Sequence, residues 1–369
     1  MRILVLFGGE SVEHEISIIT ANQVMNALKI NYTVIPLYIS KENKLYYKEN
    51  LLDLNEYKDV RNITKRSNEV SICNKKKRFY LKCKGLKKKK YFDFAFPIVH
   101  GKGMEDGTLL AYLKFKKIPV IADSNSFYPL AQNKILTKRV LNDLKIPNSS
   151  FIELNKNENI PQVSFPCIVK PNSLGSSIGI ERVNSEDELE SATENAFKYD
   201  KKIIIEEYLE NCHEYNISVL EKDNEIIVSD IEEVLKESDI LDYSQKYESE
   251  SKVKGMVSSK RIFPANIDKK VKEEIERYAK KIYKYFDAKG VIRIDFLCND
   301  KVYVNEINSI PGSYSFYLWK NRIDFVELLD IVIDNSKKDF FKDNKLTKTI
   351  DKMSIFTNYK SNSFTKSKI

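Results

Sequence analysis

The sequence contains no long apolar run. In the opening stretch, MRILVLFGGE, the apolar residues end at a pair of glycines, so this run is too short for a signal peptide or a membrane span. No other run approaches the roughly 18 residues that a membrane-spanning helix requires. With 42% hydrophobic and 31% charged residues among 369, the composition is that of a globular protein of two or three domains. We therefore expect a cytoplasmic protein with no membrane partner.

Cysteine and histidine are scarce and scattered. The cysteines include no CxxC pair, and they are Cys73, Cys83, Cys167, Cys212 and Cys298. This odd set argues for reduced thiols and against a disulfide framework or a zinc site. The three histidines also stand alone. His14 and His100 adjoin motifs described below and could order a substrate pocket, whereas His213 is expected at the surface.

Acidic residues are missing from one strongly basic segment. Residues 75–90 carry ten Lys or Arg and no acid, and the tail 341–369 carries seven Lys against two Asp. The net charge is +8, yet the rest of the chain is slightly acidic. A basic run with Phe79 and Tyr80 could bind nucleic acid by neutralising phosphates. A solvated hairpin is the simpler interpretation, because RFYLKC and KKKKYFDF flank a glycine, and nucleic acid is not expected as a partner.

The N-terminal third predicts a doubly wound α/β fold. RILVLFGG has the pattern of a buried parallel strand, a helix is predicted over 15–28, and YTVIPLYIS predicts a second strand. This β-loop-α-β order is typical of doubly wound sheets. Residues 41–90 show no clear pattern and are expected to be irregular. A strand follows over 91–101, then a helix over 105–117 and a short strand over 118–123.

The remaining chain predicts a mixture of helices and antiparallel strands. One helix is predicted over 126–146, and another begins at a capping box formed by Ser185 and Glu188. Strands are predicted over 165–171, 202–210, 214–223, 225–234, 290–300 and 301–313.

Two long segments of the second half have contrasting patterns. Residues 237–260 are polar and are expected to form a long flexible loop, and loops of that length in compact enzymes are usually lids or disorder. Residues 268–290 have one apolar face and predict a helix that stops at Gly290. A further helix over 325–334 closes the folded part, and the tail after about residue 340 is expected to be loosely held.

A Gly- and Ser-rich loop follows a predicted buried strand in VKPNSLGSSIGIERV, residues 169–183. Backbone N–H groups in such a turn can converge on phosphate oxygens, and the Ser hydroxyls add donors. The loop is neither a Walker A motif nor a GxGxxG fingerprint. On its own, a plain β-hairpin turn would explain it equally well.

Oxygen ligands cluster near the end of the folded chain. Glu306 and Asn308 are two apart on a predicted strand, so both side chains point to one face. Asp295, on the preceding strand, can lie opposite them. Two carboxylates and an amide oxygen suit Mg²⁺ that bridges nucleotide phosphates, although an ordinary exposed sheet face is the alternative. Lys134 and Lys170 are candidate phosphate partners, and EEYLE is a candidate adenine edge.

Taken together and in order, these motifs resemble those of the ATP-grasp ligases, and within them the D-alanine–D-alanine ligases. The resemblance covers roughly residues 1–335 and is carried by LFGGESVEHEIS, HGKGMEDGTLLAYL, NKILTKRVL, VKPNSLGSSIGIERV, RIDF and VNEINSIPG. It implies an α/β, three-domain ATP-grasp fold in which two α+β domains clamp ATP. The implied bounds are 1–123 for a Rossmann-like domain, 124–206 and 207–340 for the two ATP-grasp subdomains, and 341–369 for a basic tail.

The resemblance also implies roles for individual residues. Glu13 would hold the ammonium of the first amino acid, helped by Ser176. ATP would be surrounded by Lys134, Lys170, Ser176, Ser177, Glu206, Glu207, Tyr208, Leu209, Glu214 and Lys246. Two Mg²⁺ ions, or Mn²⁺, would be ligated by Asp295, Glu306 and Asn308. Arg293 and the Gly312 N–H would face the developing oxyanion. Lys246 and Tyr247 would belong to a lid loop, His100 and Tyr317 would line the substrate pocket, and the enzyme would be a homodimer.

Tyr317 departs from the family pattern. The family has a hydroxyl-rich TSHS after the glycine, where this chain has SYSFYLW, and a phenol fills more volume than a Ser. The resemblance makes ligation of two D-alanines through an acyl phosphate, for peptidoglycan precursors, the leading hypothesis. Because of Tyr317, a ligase for a different amino-acid or hydroxy-acid pair is the alternative. Tyr247 favours a dipeptide product. A non-catalytic nucleotide-binding regulator is a further alternative.

Overall fold

The structure is a computed structural model that describes residues 1–85, 88–122, 124–235 and 261–347. The lid residues Lys246 and Tyr247, and most of the basic tail, lie outside these ranges. No helix in the described part of the chain is both long enough and apolar enough to cross a membrane.

The N-terminal sheet has the strand order β6-β5-β4-β3-β2-β1-β7. Its strands are β1 (Arg2–Gly8), β2 (Thr33–Ile39), β3 (Leu45–Tyr47), β4 (Asn68–Lys75), β5 (Arg78–Cys83), β6 (Lys89–Phe92) and β7 (Phe94–Pro97). Strand β1 is parallel to both β2 and β7, and helix α1 (His14–Leu28) connects β1 to β2. The expected doubly wound start is therefore confirmed.

The expectation that residues 41–90 are irregular is wrong. Strands β3 to β6 extend the sheet as an antiparallel meander. In β4 and β5 the side chains of Val70, Ile72 and Leu81 are buried, while Ser71 and Lys82 between and beside them face solvent. This is an alternation of period two, which the many charged residues concealed. Strands β5 and β6 pair as the expected hairpin, with Tyr80 opposite Tyr91.

Helix α2 (Val60–Arg66), between β3 and β4, was not predicted. The helices after the first sheet are shorter than predicted, and they are α3 (Thr108–Phe115), α4 (Phe127–Gln132) and α5 (Lys134–Asp143). Short 3-10 turns lie at Glu49–Leu52 and Leu54–Asp59. The single helix predicted over 126–146 is broken at Asn133, which is extended and whose side chain accepts a bond from the Leu136 N–H; Asn133 is thus the N-cap of α5. The strand predicted over 118–123 is reduced to one parallel bridge between Ala95 and Val120.

A second, four-stranded antiparallel sheet has the order β10-β9-β11-β8. It comprises β8 (Phe151–Asn155), β9 (Cys167–Pro171), β10 (Glu181–Val183) and β11 (Lys202–Glu207), and it is covered by α6 (Glu186–Ala196). Its apolar core, which includes Val169, Leu189 and Ile203, is separate from the cores of the rest of the molecule. The predicted capping box is wrong: the Ser185 side chain makes no cap, and the Glu188 carboxylate accepts instead from the Asn184 N–H.

The third sheet has the order β15-β14-β12-β16-β17, with β13 also paired to β12. Its strands are β12 (His213–Lys222), β13 (Glu225–Val228), β14 (Glu232–Val234), β15 (Arg261–Ile262), β16 (Ile292–Cys298) and β17 (Val302–Asn308). The strand predicted over 225–234 is thus interrupted between β13 and β14. Helices α7 (Lys269–Tyr285), α8 (Phe316–Trp319) and α9 (Phe325–Asp343) accompany this sheet, with a 3-10 turn at Gly312–Ser315.

Helices α7 and α9 end at other places than predicted. Helix α7 stops at Tyr285, because Asp287 adopts the left-handed conformation and the Ala288 N–H bonds back to the Tyr283 carbonyl. That pattern is a Schellman cap, so Gly290 is not the stop. Helix α9 continues nine residues beyond the predicted 334, to Asp343.

The first and third sheets share apolar cores. Met25 of α1, Trp319 of α8 and Leu328 of α9 lie in one buried cluster with residues of β1. Polar contacts strengthen this junction, for example the bond from the Tyr32 hydroxyl to Asp330 at 2.6 Å. The four-stranded sheet, with its own core, faces this joined body across a cleft.

Candidate active site

The cleft collects side chains from all three sheets. Most of the predicted catalytic and metal-binding residues line it, namely Glu13, His100, Ser176, Glu214, Arg293, Asp295, Glu306, Asn308 and Gly312. These residues come from positions as far apart as 13 and 312, so only the tertiary fold brings them together. Residues that were not predicted also line it, including Glu105, Asn216 and Arg261.

The Gly- and Ser-rich loop lies directly against Glu13. The Ser176 hydroxyl donates a hydrogen bond to the Glu13 carboxylate. A Cβ on Gly175 would lie 3.0 Å from both oxygens of that carboxylate, so a side chain there would crowd it. Ser176 and Ser177 both have a left-handed φ of 57°, which is uncommon for residues other than Gly. Such conformations concentrate at functional sites.

Beside Glu13 lies a second buried carboxyl, Glu105. It accepts bonds from the Gly101 N–H at 2.6 Å and from the Ser309 hydroxyl at 2.7 Å. Burial, reinforced by the charge of Glu13, raises the pKa of Glu105 to about 8. His100 is buried nearby, and burial together with Arg293 lowers its pKa to about 3. His100 is therefore neutral, and its position in the pocket agrees with the sequence analysis.

The acidic face predicted for β16 and β17 forms. Asp295 is the register partner of Glu306, and the Asn308 amide donates to the Asp295 carboxylate at 3.0 Å. Arg293 holds both oxygens of Asp295, at 2.7 and 2.9 Å. Burial disfavours the charged form of Arg293 and so acts to lower its pKa. The attraction of the Asp295 carboxylate and other nearby acidic groups outweighs this effect, and the pKa of Arg293 is raised. Lys134 reaches Glu306 at 3.2 Å, so each carboxylate of this face has a cationic partner.

The predicted metal set is chemically suitable for Mg²⁺. Two carboxylates and one amide oxygen are the hard donors that this ion takes, and the Asn308 bond to Asp295 uses the amino group rather than the carbonyl oxygen. In the described part of the chain, no group of three or more His, Cys, Asp or Glu side chains forms a metal cluster. Mg²⁺ held by these three donors would complete its coordination with water or with substrate oxygens.

Two predicted ATP residues form a buried ion pair deeper in the four-stranded sheet. Lys170 reaches the Glu206 carboxylate at 3.0 Å, and Lys138, which was not predicted, reaches the same oxygen at 3.6 Å. Burial opposes ionisation of Glu206, but the two lysines overcome it and lower its pKa to about 2. Lys138 follows Lys134 by four residues on α5, and this helical spacing was the signal that could have identified it.

The remaining predicted nucleotide residues in the described part of the chain lie at the end of β11 and just after it, and they do not line the same cleft. Glu207 is exposed and accepts a bond from the Ser150 hydroxyl at 2.8 Å. The Tyr208 ring packs against the Arg182 guanidinium, 4.2 Å from the ring centroid. Leu209 is half-buried beside them.

Tyr317 belongs to a polar network at one end of the cleft. Its hydroxyl donates to the buried Glu232 carboxylate at 3.0 Å and accepts from Arg261 at 3.3 Å. Asn216 donates to the same carboxylate at 3.0 Å. Sequence reasoning identified Tyr317 but missed Glu232 and Arg261, because no local motif connects residues from three separate segments.

Gly312 is held by an unusual backbone. The three residues after it, Ser313, Tyr314 and Ser315, all have φ near 50°, and left-handed conformations cost free energy in non-Gly residues. The Ser313 N–H bonds to the Thr20 hydroxyl of α1 at 3.1 Å. This contact ties the turn after β17 to the N-terminal sheet.

Comparisons with known proteins agree with this arrangement. A family model described as the D-ala D-ala ligase N-terminus matches residues 2–122, and one described as the D-ala D-ala ligase C-terminus matches residues 143–334. A D-alanine--D-alanine ligase from Thermosipho melanesiensis is 37% identical over 354 residues, covering 94% of this chain and 96% of that protein. The chain belongs to the D-alanine–D-alanine ligase family.

Solved structures support the same assignment. A D-Alanine-D-Alanine Ligase from Helicobacter pylori has a TM-score of 0.73 at 29% identity, covering 91% of this chain and 99% of that chain. The VanG D-Ala:D-Ser ligase from Enterococcus faecalis has a TM-score of 0.74 at 28% identity, with the same coverage. Membership in this family of ATP-dependent ligases confirms the expected ATP-grasp fold, the enzyme class and the use of ATP.

Proposed function

We propose that this enzyme joins two D-alanines to D-alanyl-D-alanine at the expense of ATP, supplying peptidoglycan precursor synthesis. The observation that carries the proposal is the meeting of Glu13 and Ser176 with Arg293 and the acidic face of β16 and β17 in one cleft. Family membership gives the reaction class, and the cleft provides the polar groups that it requires.

The chemistry proceeds in two displacements. A carboxylate oxygen of the first D-alanine attacks the γ-phosphorus of ATP, and the bond from this phosphorus to the β–γ bridging oxygen breaks. The products are ADP, which is the leaving group, and the acyl phosphate of D-alanine. The uncharged amine of the second D-alanine then attacks the acyl carbon. The resulting tetrahedral oxyanion expels inorganic phosphate, and the amine proton is lost. Both steps depend on positioning and charge neutralisation more than on covalent catalysis by the protein.

The predicted site residues, in the cleft and around it, have distinct roles in this proposal. Glu13, oriented by the Ser176 hydroxyl, binds the ammonium of the first D-alanine. Lys134 and Lys170 bind ATP phosphates, and Arg293 with the Gly312 N–H stabilises the oxyanion. The remaining nucleotide contacts come from Ser177, Glu206, Glu207, Tyr208, Leu209 and Glu214. Neutral His100 orders the first-substrate pocket.

We propose that Mg²⁺ binds at Asp295, Glu306 and Asn308. When bound, it supplies positive charge against the ATP phosphates. Because Arg293 and Lys134 pair with the two carboxylates in the structure, these cations and the metal would compensate the same acidic face. We further propose a cytoplasmic homodimer with domain bounds at 1–123, 124–206 and 207–340. The separate core of the four-stranded sheet supports the middle domain.

A ligase that joins a different pair is the second candidate, and Tyr317 favours it. Its phenol bonds to Glu232 and to Arg261, which lines the cleft, and a relative of similar fold carries the description D-Ala:D-Ser ligase. Phosphate release measured with ATP, Mg²⁺ and a panel of single and paired amino acids and hydroxy acids separates the two. Turnover with another pair but not with D-alanine alone would remove the leading proposal.

Substitution tests the site assignment. Lys170→Ala and Glu306→Ala should each lower ligation by at least about a hundredfold while leaving far-UV circular dichroism unchanged, since each removes a charge that contacts the phosphates or their metal. Exposed Lys338→Ala, on α9, is the matched control and should retain wild-type turnover. Activity within a few-fold of wild type in either site variant would refute the assignment.

A further inference from the structure

Two arginines line the cleft among the described residues, and their hydrogen-bonding states differ. Arg293 uses Nε and Nη2 to hold both oxygens of Asp295. Arg261 uses Nη1 alone, for Glu232 and Tyr317. A guanidinium carries five N–H donors, and no described residue engages Nε or Nη2 of Arg261. Arg261 therefore lines the cleft with its Nε–H and Nη2–H donors available to a ligand.

The guanidinium of Arg261 is anchored from behind. Nη1 lies 3.0 and 3.1 Å from the two oxygens of Glu232, which is 1% exposed. That carboxylate also accepts bonds from Asn216 and Tyr317. Strand pairing of Arg261 with Val234 fixes the backbone beside the anchor. A guanidinium held in this way loses little freedom when it binds a ligand.

Arg261 also lies close to Arg293, the proposed oxyanion partner. Burial raises the pKa of Tyr317 to about 12, and the charges of Arg293 and Arg261 both oppose that rise. Tyr317 is thus within the electrostatic reach of both arginines. Glu13 and Ser176, proposed to bind the ammonium of the first amino acid, line the same cleft, and Lys134, proposed to bind phosphate, contacts Glu306.

We propose that Arg261 binds the carboxylate of the second amino acid, with Glu232 and Tyr317 as its positioning residues. This inference rests on the proposed function. The second substrate must present an uncharged amine to the acyl phosphate while keeping its own carboxylate ionised. A guanidinium binds a planar carboxylate through two parallel N–H bonds. The arrangement selects acceptors that carry a carboxylate next to the attacking group.

A competition between two acceptors tests this role directly. Enzyme, ATP and Mg²⁺ are supplied with D-alanine and D-alaninamide together, and mass spectrometry measures the ratio of dipeptide to dipeptide amide. This ratio compares the two acceptors at one acyl phosphate, so it does not depend on how much enzyme is folded or on ATP affinity. Wild type should favour D-alanine strongly. Arg261→Met should lower the preference by about 10- to 100-fold, as expected for loss of a charge-assisted bond.

Further variants keep the test decisive. Because Arg261→Met leaves buried Glu232 without its cation, the double variant R261M with E232Q removes both charges and should lose the preference equally. Arg261→Lys retains the charge but not the fork and should give an intermediate ratio. Arg277→Met, which changes an exposed arginine of α7 paired with Glu274, is the matched control and should keep the wild-type ratio.

The possible outcomes are distinct. An unchanged ratio in an active Arg261→Met enzyme overturns the inference while the proposed function stands. A raised KM for ATP with an unchanged ratio also overturns it and assigns Arg261 to the phosphates. If wild type forms no D-alanyl-D-alanine at all, the proposed function fails first, and the inference falls with it.

Discussion

Replacing Glu206 by Gln should destabilise the protein strongly, because this carboxylate neutralises two buried lysines. Glu206 is 4% exposed and lies 3.0 Å from the Lys170 ammonium and 3.6 Å from that of Lys138. The Ser149 hydroxyl donates to the same oxygen at 3.1 Å. Gln keeps the shape of the side chain but removes the negative charge, so both ammonium groups would remain buried without a counter-ion.

The magnitude follows from these distances. At an effective dielectric constant of about 20, each ion pair contributes roughly 5 kcal/mol before the cost of desolvation is subtracted. The lowering of the Glu206 pKa from 4.5 to about 2 corresponds to about 3 kcal/mol of net stabilisation. Breaking a buried pair by removing one partner costs about 3–5 kcal/mol. We therefore expect Glu206→Gln to lower the free energy of unfolding by about 3 kcal/mol at neutral pH.

Urea unfolding followed by far-UV circular dichroism, in buffer without ATP, measures this loss. Because the folded-state pKa of Glu206 is lowered, its contribution is present above pH 4.5 and is lost as the pH falls towards 2. The difference between wild type and Glu206→Gln should shrink over that range. In a double-mutant cycle with Lys138→Met, the double variant should be more stable than the sum of the singles by about 1–3 kcal/mol. A loss below about 0.5 kcal/mol, or strict additivity, would refute the reasoning.

Two further predictions concern buried positions near the cleft. Burial and the Glu13 charge raise the pKa of Glu105 from 4.5 to about 8. Between these pH values the folded protein keeps a proton on Glu105 that the unfolded chain has released. The free energy of unfolding of wild type should therefore fall as the pH rises from 4.5 to 8. Glu105→Gln should remove this slope in thermal melts at pH 5 and 8.5, and parallel slopes would contradict the assignment. A Cβ on Gly8, at φ 93°, would lie 2.4 Å from the Ile39 carbonyl oxygen, so Gly8→Ala should cost at least about 2 kcal/mol. Gly85→Ala, at φ 74° in open space, is its control for backbone strain alone and should cost clearly less in urea unfolding; equal costs would show that the carbonyl contact is unimportant.

Motifs with a strong local signal were read correctly from the sequence. The β1–α1–β2 start, the Gly- and Ser-rich loop and the paired strands with Asp295 and Glu306 all formed as expected. Each depends on residues close together in the chain or on a strand period of two. The errors fell where charge masked a pattern, as in β4 and β5, or where one residue interrupted a helix, as Asn133 does.

The amino-acid sequence by itself determined the fold class, the order of the motifs and nine of the nineteen described residues that line the cleft, because each motif is a local pattern of backbone and side-chain chemistry. The tertiary structure alone decided which charges meet. It pairs Lys138 with Glu206, brings Glu105 beside Glu13, and bonds Arg261 to Glu232 and Tyr317. These pairs join distant segments, and the pKa values and donor geometry that matter for chemistry depend on burial and contact, which no local pattern encodes.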